Sequence, residues 1–352
     1  MLSVFSGSIF VLPYLFAVMF GKDMVVGVAL YIIMAALYVG AIFLLGRSGD
    51  GVSEEVKDYD ADKVPLYIYG GAGIQIIRCI IRLMFYIVLA VAILGEGQVP
   101  FVERASGNSF NNLMVLLPLL LVAYYGANTD IEKYGRISEM IFLAAFFPYV
   151  LMMIFGLSEM DFRVFVPGGE GDTMLILKCY ALLTFIVPVE IYPQLKMNTD
   201  KKLKSSTWPG YLAVMSMIIL VGVLSLFMAG IYGLNGMTGE PMTSVAIMRY
   251  IELPLGVLQR FDVLMVWFFM TGVFALMSGT LFYIRKQLCK IVSEKMGEIL
   301  LLVITLATII MCLRLPEYEV TLGAFVVYGA IVDIPLSLLS AVIGRAGNKS
   351  RG

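Results

Sequence analysis

Apolar residues in this chain gather into long uninterrupted runs. They do not follow the strict alternation of half-buried strands or the one-sided stripe of a soluble helix. Ten such runs stand near residues 2–20, 24–45, 74–95, 110–127, 137–157, 173–193, 209–233, 261–284, 298–315 and 321–344. Coiled as a helix, a run of about 17–25 apolar residues matches the hydrocarbon thickness of a bilayer. The pattern therefore predicts an all-α integral membrane protein with ten transmembrane helices. Two runs are marginal by length. The fourth is most apolar only from Leu113 to Gly126, and the ninth reaches only from Glu298 to Leu315. The fourth also fits a buried or re-entrant segment.

Charge placement decides between nine and ten spans, because loops rich in Lys and Arg stay cytoplasmic. With ten spans and the N-terminus inside, eighteen of the 25 basic residues fall on the inner side and seven on the outer. Omitting the fourth span inverts every later loop and leaves 10 inside against 15 outside. Ten spans with both termini cytoplasmic is the better reading. The first span has no basic n-region and no small-residue cleavage site before Lys22 and Asp23, so it reads as a membrane helix, not a signal peptide.

Composition then narrows the function. The chain is 60% hydrophobic and 14% charged, against about 45–50% and about 25% in an average globular domain. Its net charge of −1 gives no footprint for a nucleic-acid partner. There are no histidines, which removes the usual neutral-pH general base, the Ser-His-Asp arrangement and His-ligated zinc. Cys79, Cys179, Cys289 and Cys312 stand singly, without disulfide or metal spacing. An enzyme is not expected, and neither is a cofactor beyond a coupling ion such as sodium or a proton.

Two runs carry helix breakers. In the first, Ser6-Gly7-Ser8-Ile9-Phe10 is followed by Pro13; in the sixth, Pro188 and Pro193 flank Glu190. Proline removes a backbone hydrogen bond and crowds the preceding turn, and irregular backbone at membrane depth is tolerated only where it lines a protein cavity. Spans one and six open the two halves of a five-plus-five arrangement, residues 1–157 and 173–344. An odd number of spans per half makes the repeats inverted. Paired broken helices in matching positions point to a midplane binding site. The alternative is that Pro and Gly are simply common in membrane helices.

Intramembrane polar residues supply the candidate chemistry. Glu190 is the sharpest, since a carboxylate at mid-span is costly and faces a cavity or a partner; capping of freed amides is its structural alternative. Asp333, just before Pro335, is a second candidate for proton or ion coupling or for a structural acceptor role. Arg78 and Arg82 lie one turn apart toward the inner end of the third span, where snorkelling to the cytoplasmic face is the expected role. Tyr86 sits near mid-depth on the same helix and either faces substrate or packs. Ala275, Ser278, Gly279 and Thr280 form a small patch suited to close helix packing, with sodium coordination as the alternative. The loop from Arg47 to Pro65 reads as a solvated charged surface. The outer segment from Gly233 to Gln259 is predicted to hold a short helix over Thr243–Glu252 and to act as a lid over an outer vestibule.

The residues at the first break resemble the Gly-x-Ile-Phe signature of the amino acid–polyamine–organocation transporters. The second half is more specific. Gly230-Ile231-Tyr232-Gly233, Pro241, Arg249-Tyr250-Ile251-Glu252 and Pro254 through Met265, with Gln259-Arg260-Phe261-Asp262 leading into the eighth helix, resemble the B subunits of bacterial spore germinant receptors. The Glu190–Pro193 stretch followed by the basic loop Lys196–Lys204 is similar to that family's sixth span. The chain departs from the pattern at its N-terminus, where the family has a longer inner half of the first helix. The resemblance implies the superfamily's inverted-repeat fold and a location in the bacterial cell membrane or the spore inner membrane. It also implies a role in binding a small nutrient such as an amino acid, beside receptor A and C subunits. On that reading amides at Gly7, Ser8 and Ile9 receive a ligand carboxylate, Phe185 and Tyr86 contact the rest, and Glu190 takes an ammonium or a proton. A sodium- or proton-coupled amino-acid transporter is the alternative, drawing on Ser278, Ala275, Glu190 or Asp333.

Overall fold

The protein is represented by a computed structural model that describes residues 2–46, 66–96, 109–129, 131–166, 168, 173–190, 208–247, 261–289, 291–312 and 318–339. The charged loop from Arg47 to Pro65, the basic loop Lys196–Lys204 and the stretch Arg249–Arg260 lie outside the described residues. In chain order the helices are α1 (Leu2–Ile9), α2 (Leu12–Phe20), α3 (Met24–Gly46), α4 (Leu66–Glu96), α5 (Ser109–Ala127) and α6 (Ile131–Gly156). They continue with α7 (Leu175–Leu182), α8 (Trp208–Gly239), α9 (Thr243–Ala246), α10 (Phe261–Leu288), α11 (Glu294–Cys312) and α12 (Tyr318–Tyr328). No strand occurs among the described residues.

Where the ten apolar runs fall within the described residues they are helical over most of their length, including the two marginal ones at α5 and α11. Among the described residues, five stretches are long and apolar enough to cross a membrane: Leu12–Leu44, Gly71–Ile93, Trp208–Gly239, Glu294–Cys312 and Tyr318–Leu339. The first of these folds back through a 3₁₀ turn at Gly21–Asp23, so that α2 and α3 pack on each other. Large apolar side chains stay exposed at helical spacing, namely Val26, Ile33, Leu37 and Leu44 on α3 and Ile299, Val303, Leu306 and Ile310 on α11. A soluble protein would bury such stripes, whereas lipid is a matching solvent for them. The chain is an all-helical membrane protein.

The interior is organised around α10, which packs on α4, α5, α6, α1 and α11. A second group forms around α8, which packs on α2, α3 and α1. The half-helix α1 therefore bridges the two groups. Its Phe5 is fully buried and meets Phe142, Phe146 and Tyr149 of α6 edge-on, with ring centroids 5.8, 5.9 and 5.5 Å away. Phe85 of α4 stacks on Phe325 of α12 with centroids 4.2 Å apart and rings nearly parallel, anchoring α12 to α4.

Candidate functional site

The first break falls at Phe10 and Val11, between α1 and α2. The reason is local. Proline at position 13 has no N–H to offer the carbonyl of Ile9 four residues earlier. The chain turns more tightly instead, with the Val11 amide donating to the Ser8 carbonyl at 3.2 Å and helix resuming as Leu15 donates to Val11 at 3.1 Å. The freed Ile9 carbonyl is not left bare: the Ser244 hydroxyl donates to it at 2.6 Å. Ser244 lies in α9, a single turn with Thr243 through Ile247 all buried. The outer segment thus reaches into the protein and touches the break itself, a deeper position than a lid over a vestibule.

Gly7, Ser8 and Ile9 consequently close α1 rather than forming the unwound stretch. This end of a half-helix presents carbonyls, the negative pole of its dipole. The hydroxyls of Ser6 and Ser8 are buried there without a hydrogen-bond partner. Ser6 is pressed against α10: a Cβ on Gly272 would lie 2.9 Å from the Ser6 hydroxyl oxygen, so the glycine admits the serine.

The sixth run breaks for the same reason. Proline at 188 cannot donate to Thr184, and α7 gives way after Leu182 to tight turns at Leu183–Phe185 and Val187–Glu190. Their amides bond three residues back, Ile186 to Leu183 at 2.8 Å and Val189 to Ile186 at 2.9 Å. The Thr184 hydroxyl donates to the Ala181 carbonyl at 2.7 Å. In the tenth run, Pro335 withholds the donor that Ile331 would use, and α12 widens into a π turn at Gly329–Asp333. These two irregular segments are in contact. A Cβ on Gly329 would fall 2.0 Å from Thr184 Cγ2, so only glycine permits the approach, and the Tyr180 hydroxyl donates to the Ala330 carbonyl at 3.1 Å.

That approach brings Glu190 and Asp333 to the same face of α4, where Arg78 and Arg82 project one turn apart. All four side chains are buried, the arginines at 2% exposure. Snorkelling to the cytoplasmic face is therefore overturned: the two guanidiniums turn inward because two carboxylates from distant segments compensate them there. Arg78 Nε donates to Asp333 Oδ1 at 2.5 Å, its Nη1 to Gln75 at 2.9 Å, and its Nη2 to Glu190 Oε2 and the Asp333 carbonyl, both at 3.1 Å. Arg82 donates to Asp333 Oδ2 from Nε at 3.0 Å and from Nη2 at 2.8 Å, and from Nη2 to Glu190 Oε1 at 3.1 Å. The third guanidinium nitrogen of Arg82, Nη1, is buried without a partner. Two positive and two negative charges balance, which is the condition for keeping such groups out of water.

Nearby, Tyr38 and Ser337 share a hydrogen bond of 2.6 Å. Phe185 and Tyr86 are buried in the aromatic group around Phe85, with centroids 6.2 and 6.0 Å from it. Of the residues singled out from sequence, the fold therefore gathers Glu190, Asp333, Tyr86 and Phe185 around α4. Ala275 and Ser278 lie apart, beside α5. There a Cβ on Gly126 would sit 2.8 Å from Ser278 Oγ, and the pair borders a largely apolar cavity of about 170 Å³ that also touches Tyr125, Thr129 and Phe274. The residues that sequence reasoning did not assign are Gln75, Thr184, Ser244 and Gly329. The pairing of the arginines did leave a signal, because two intramembrane carboxylates require two compensating cations.

Among curated proteins, none matches the chain. The family model described as spore germination protein matches residues 67–319, more than two thirds of the length, from α4 to the start of α12 and across the sixth-span break. The match includes Arg78, Arg82 and Glu190 and stops short of Asp333. This chain belongs to the spore germination protein family.

Proposed function

We propose that this protein is the membrane subunit of a nutrient germinant receptor, which binds a small nutrient of the amino-acid class between its broken first and sixth helices and so helps trigger germination. On this reading the ten helical runs form a five-plus-five inverted repeat, residues 1–157 and 173–344, with cytoplasmic termini in the cell or spore inner membrane. Receptor A and C subunits are its partners. The observation that carries the reading is the pair of matched breaks. Each is produced by a proline, and α1 packs directly on the Leu183–Phe185 and Val187–Glu190 turns. Two buried hydroxyls without partners, on Ser6 and Ser8, stand at the first break ready for a polar ligand. Phe185 and Tyr86 supply an apolar wall near the second.

Purified protein should show saturable thermal stabilisation by at least one amino acid, with half-saturation raised severalfold in Ser8→Ala and Tyr86→Ala. No stabilisation by any amino acid, sugar or nucleoside would overturn nutrient binding. Uptake of labelled amino acid into proteoliposomes separates sensing from transport. A receptor gives binding without accumulation, whereas accumulation driven by a sodium or proton gradient establishes the secondary-transporter reading, with Glu190, Asp333, Ala275 and Ser278 as the first residues to test for coupling.

A further inference from the structure

The four-charge cluster is held unevenly. Asp333 accepts three guanidinium bonds on its carboxylate and a fourth on its backbone carbonyl, at 2.5 to 3.1 Å. Glu190 accepts one hydrogen bond from each arginine, both at 3.1 Å and both from Nη2 atoms that are shared with Asp333, and Arg78 Nη2 also stands 3.0 Å from its Oε1. The backbone beneath the two acids differs as well. Asp333 ends a π turn within a continuing helix, while Glu190 ends a 3₁₀ turn behind Pro188, with no helix carrying it through the preceding turns. The weaker contacts thus belong to the more easily displaced segment.

Beside Glu190, Arg82 keeps Nη1 buried and unpartnered. Nη1 and Nη2 form the edge of a guanidinium that grips a carboxylate through two parallel bonds. Glu190 engages only the Nη2 half of that edge. An Arg, Arg, Asp remainder carries one net positive charge, matched by one anion.

We infer that Glu190 is an internal stand-in for a ligand carboxylate. When the Val187–Glu190 turn swings away, Arg82, supported by Arg78 and Asp333, binds the carboxylate of a small nutrient in its place. The assignment rests on the nutrient-binding reading above and deepens it by fixing polarity. The anionic end of the ligand faces α4, and its cationic or hydroxyl end faces the carbonyl pole of α1 that Ser244 now occupies. It replaces the expectation that the amides of Gly7, Ser8 and Ile9 take the carboxylate, since those residues sit at the wrong end of a half-helix dipole. Glu190 then acts as a competitor that sets the threshold, and Asp333 as the anchor that keeps both arginines in place.

The test uses the full-length chain, purified in detergent, with thermal unfolding followed against sodium acetate, acetamide and sodium chloride at constant ionic strength. Removing the internal competitor should lower the half-saturating acetate concentration of Glu190→Gln by about tenfold or more relative to wild type. Acetamide and chloride should give no saturable shift. Adding Arg82→Lys to Glu190→Gln should abolish the acetate response, because an ammonium cannot offer the two-donor edge. Equal acetate responses in wild type and Glu190→Gln, or a response that survives Arg82→Lys, would overturn the assignment. If Glu190→Gln does not fold, Glu190→Asp shortens the competitor while keeping its charge. It should still lower the half-saturating concentration, and an unchanged value counts against the inference. A wild-type amino-acid response shared equally by the corresponding carboxamide would defeat this site and leave nutrient binding intact. Acetate binding in Glu190→Gln without any wild-type nutrient response would do the reverse.

Discussion

Ser244 and Pro13 together define the first break. One removes the donor that a continuous helix would give Ile9, and the other supplies a substitute from a distant segment. Ser244→Ala leaves that buried carbonyl unpaired, which costs about 1–3 kcal/mol and should appear as a lower midpoint of thermal unfolding. Pro13→Ala returns an N–H to position 13, so the same Ser244→Ala change should cost less in that background. Equal costs in both backgrounds would show that the hydroxyl does not compensate for the proline. The arginines follow the same logic at higher stakes. Each carries a charge into a low-dielectric interior and is tolerable there only because carboxylates meet it. Asp333, which accepts four hydrogen bonds from the arginines, bears more of that compensation than Glu190, which accepts two.

At the scale of elements, the irregular segments matter more than the regular ones. The tight turns after α7 and the π turn after α12 each arise from a proline, at 188 and 335, and Gly329 lets them meet. Gly329→Ala would place a methyl group inside Thr184, forcing the π turn away from the sixth-span break. Overpacking of this kind costs about 1–3 kcal/mol, and the displacement should also weaken nutrient binding by pulling Asp333 from Arg78. Thr184→Ala should restore only part of the loss, because Thr184 Cβ itself lies 2.5 Å from the added methyl position. Full rescue, or no destabilisation by Gly329→Ala, would contradict the close approach. The small patch on α10 belongs at this scale too. Gly126 and Ser278 bring α5 and α10 together, in keeping with small residues as packing points in membranes.

Across the whole molecule, charge polarity predicts how the chain lies in its bilayer. Cys289 is exposed after α10, on the inner side of a ten-span arrangement, and Ser158 is exposed after α6, on the outer side. In a Cys312→Ser background, an impermeant maleimide should label Ser158→Cys in intact cells and reach Cys289 only after permeabilisation. Labelling of both from outside would overturn the ten-span topology. Much of this architecture was legible in the chain alone. The described parts of the ten apolar runs are largely helical because a backbone out of water must satisfy its own hydrogen bonds, and both breaks fell near their prolines because a missing N–H acts locally. The exact position of the first break was off by a turn, since Gly7 and Ser8 tolerate helix and Pro13 acts four residues back. Glu190 and Asp333 stood out as costly intramembrane carboxylates, yet their partners did not, and Arg78 and Arg82 read as surface anchors. Helical period and hydropathy fix which residues share a face of one helix, but not which distant segments meet that face. The pairing of two arginines with two acids across 112 and 255 residues, and the reach of Ser244 to Ile9, were decided only by the tertiary packing, because burying a charge or a bare carbonyl is tolerable only where another segment delivers its partner.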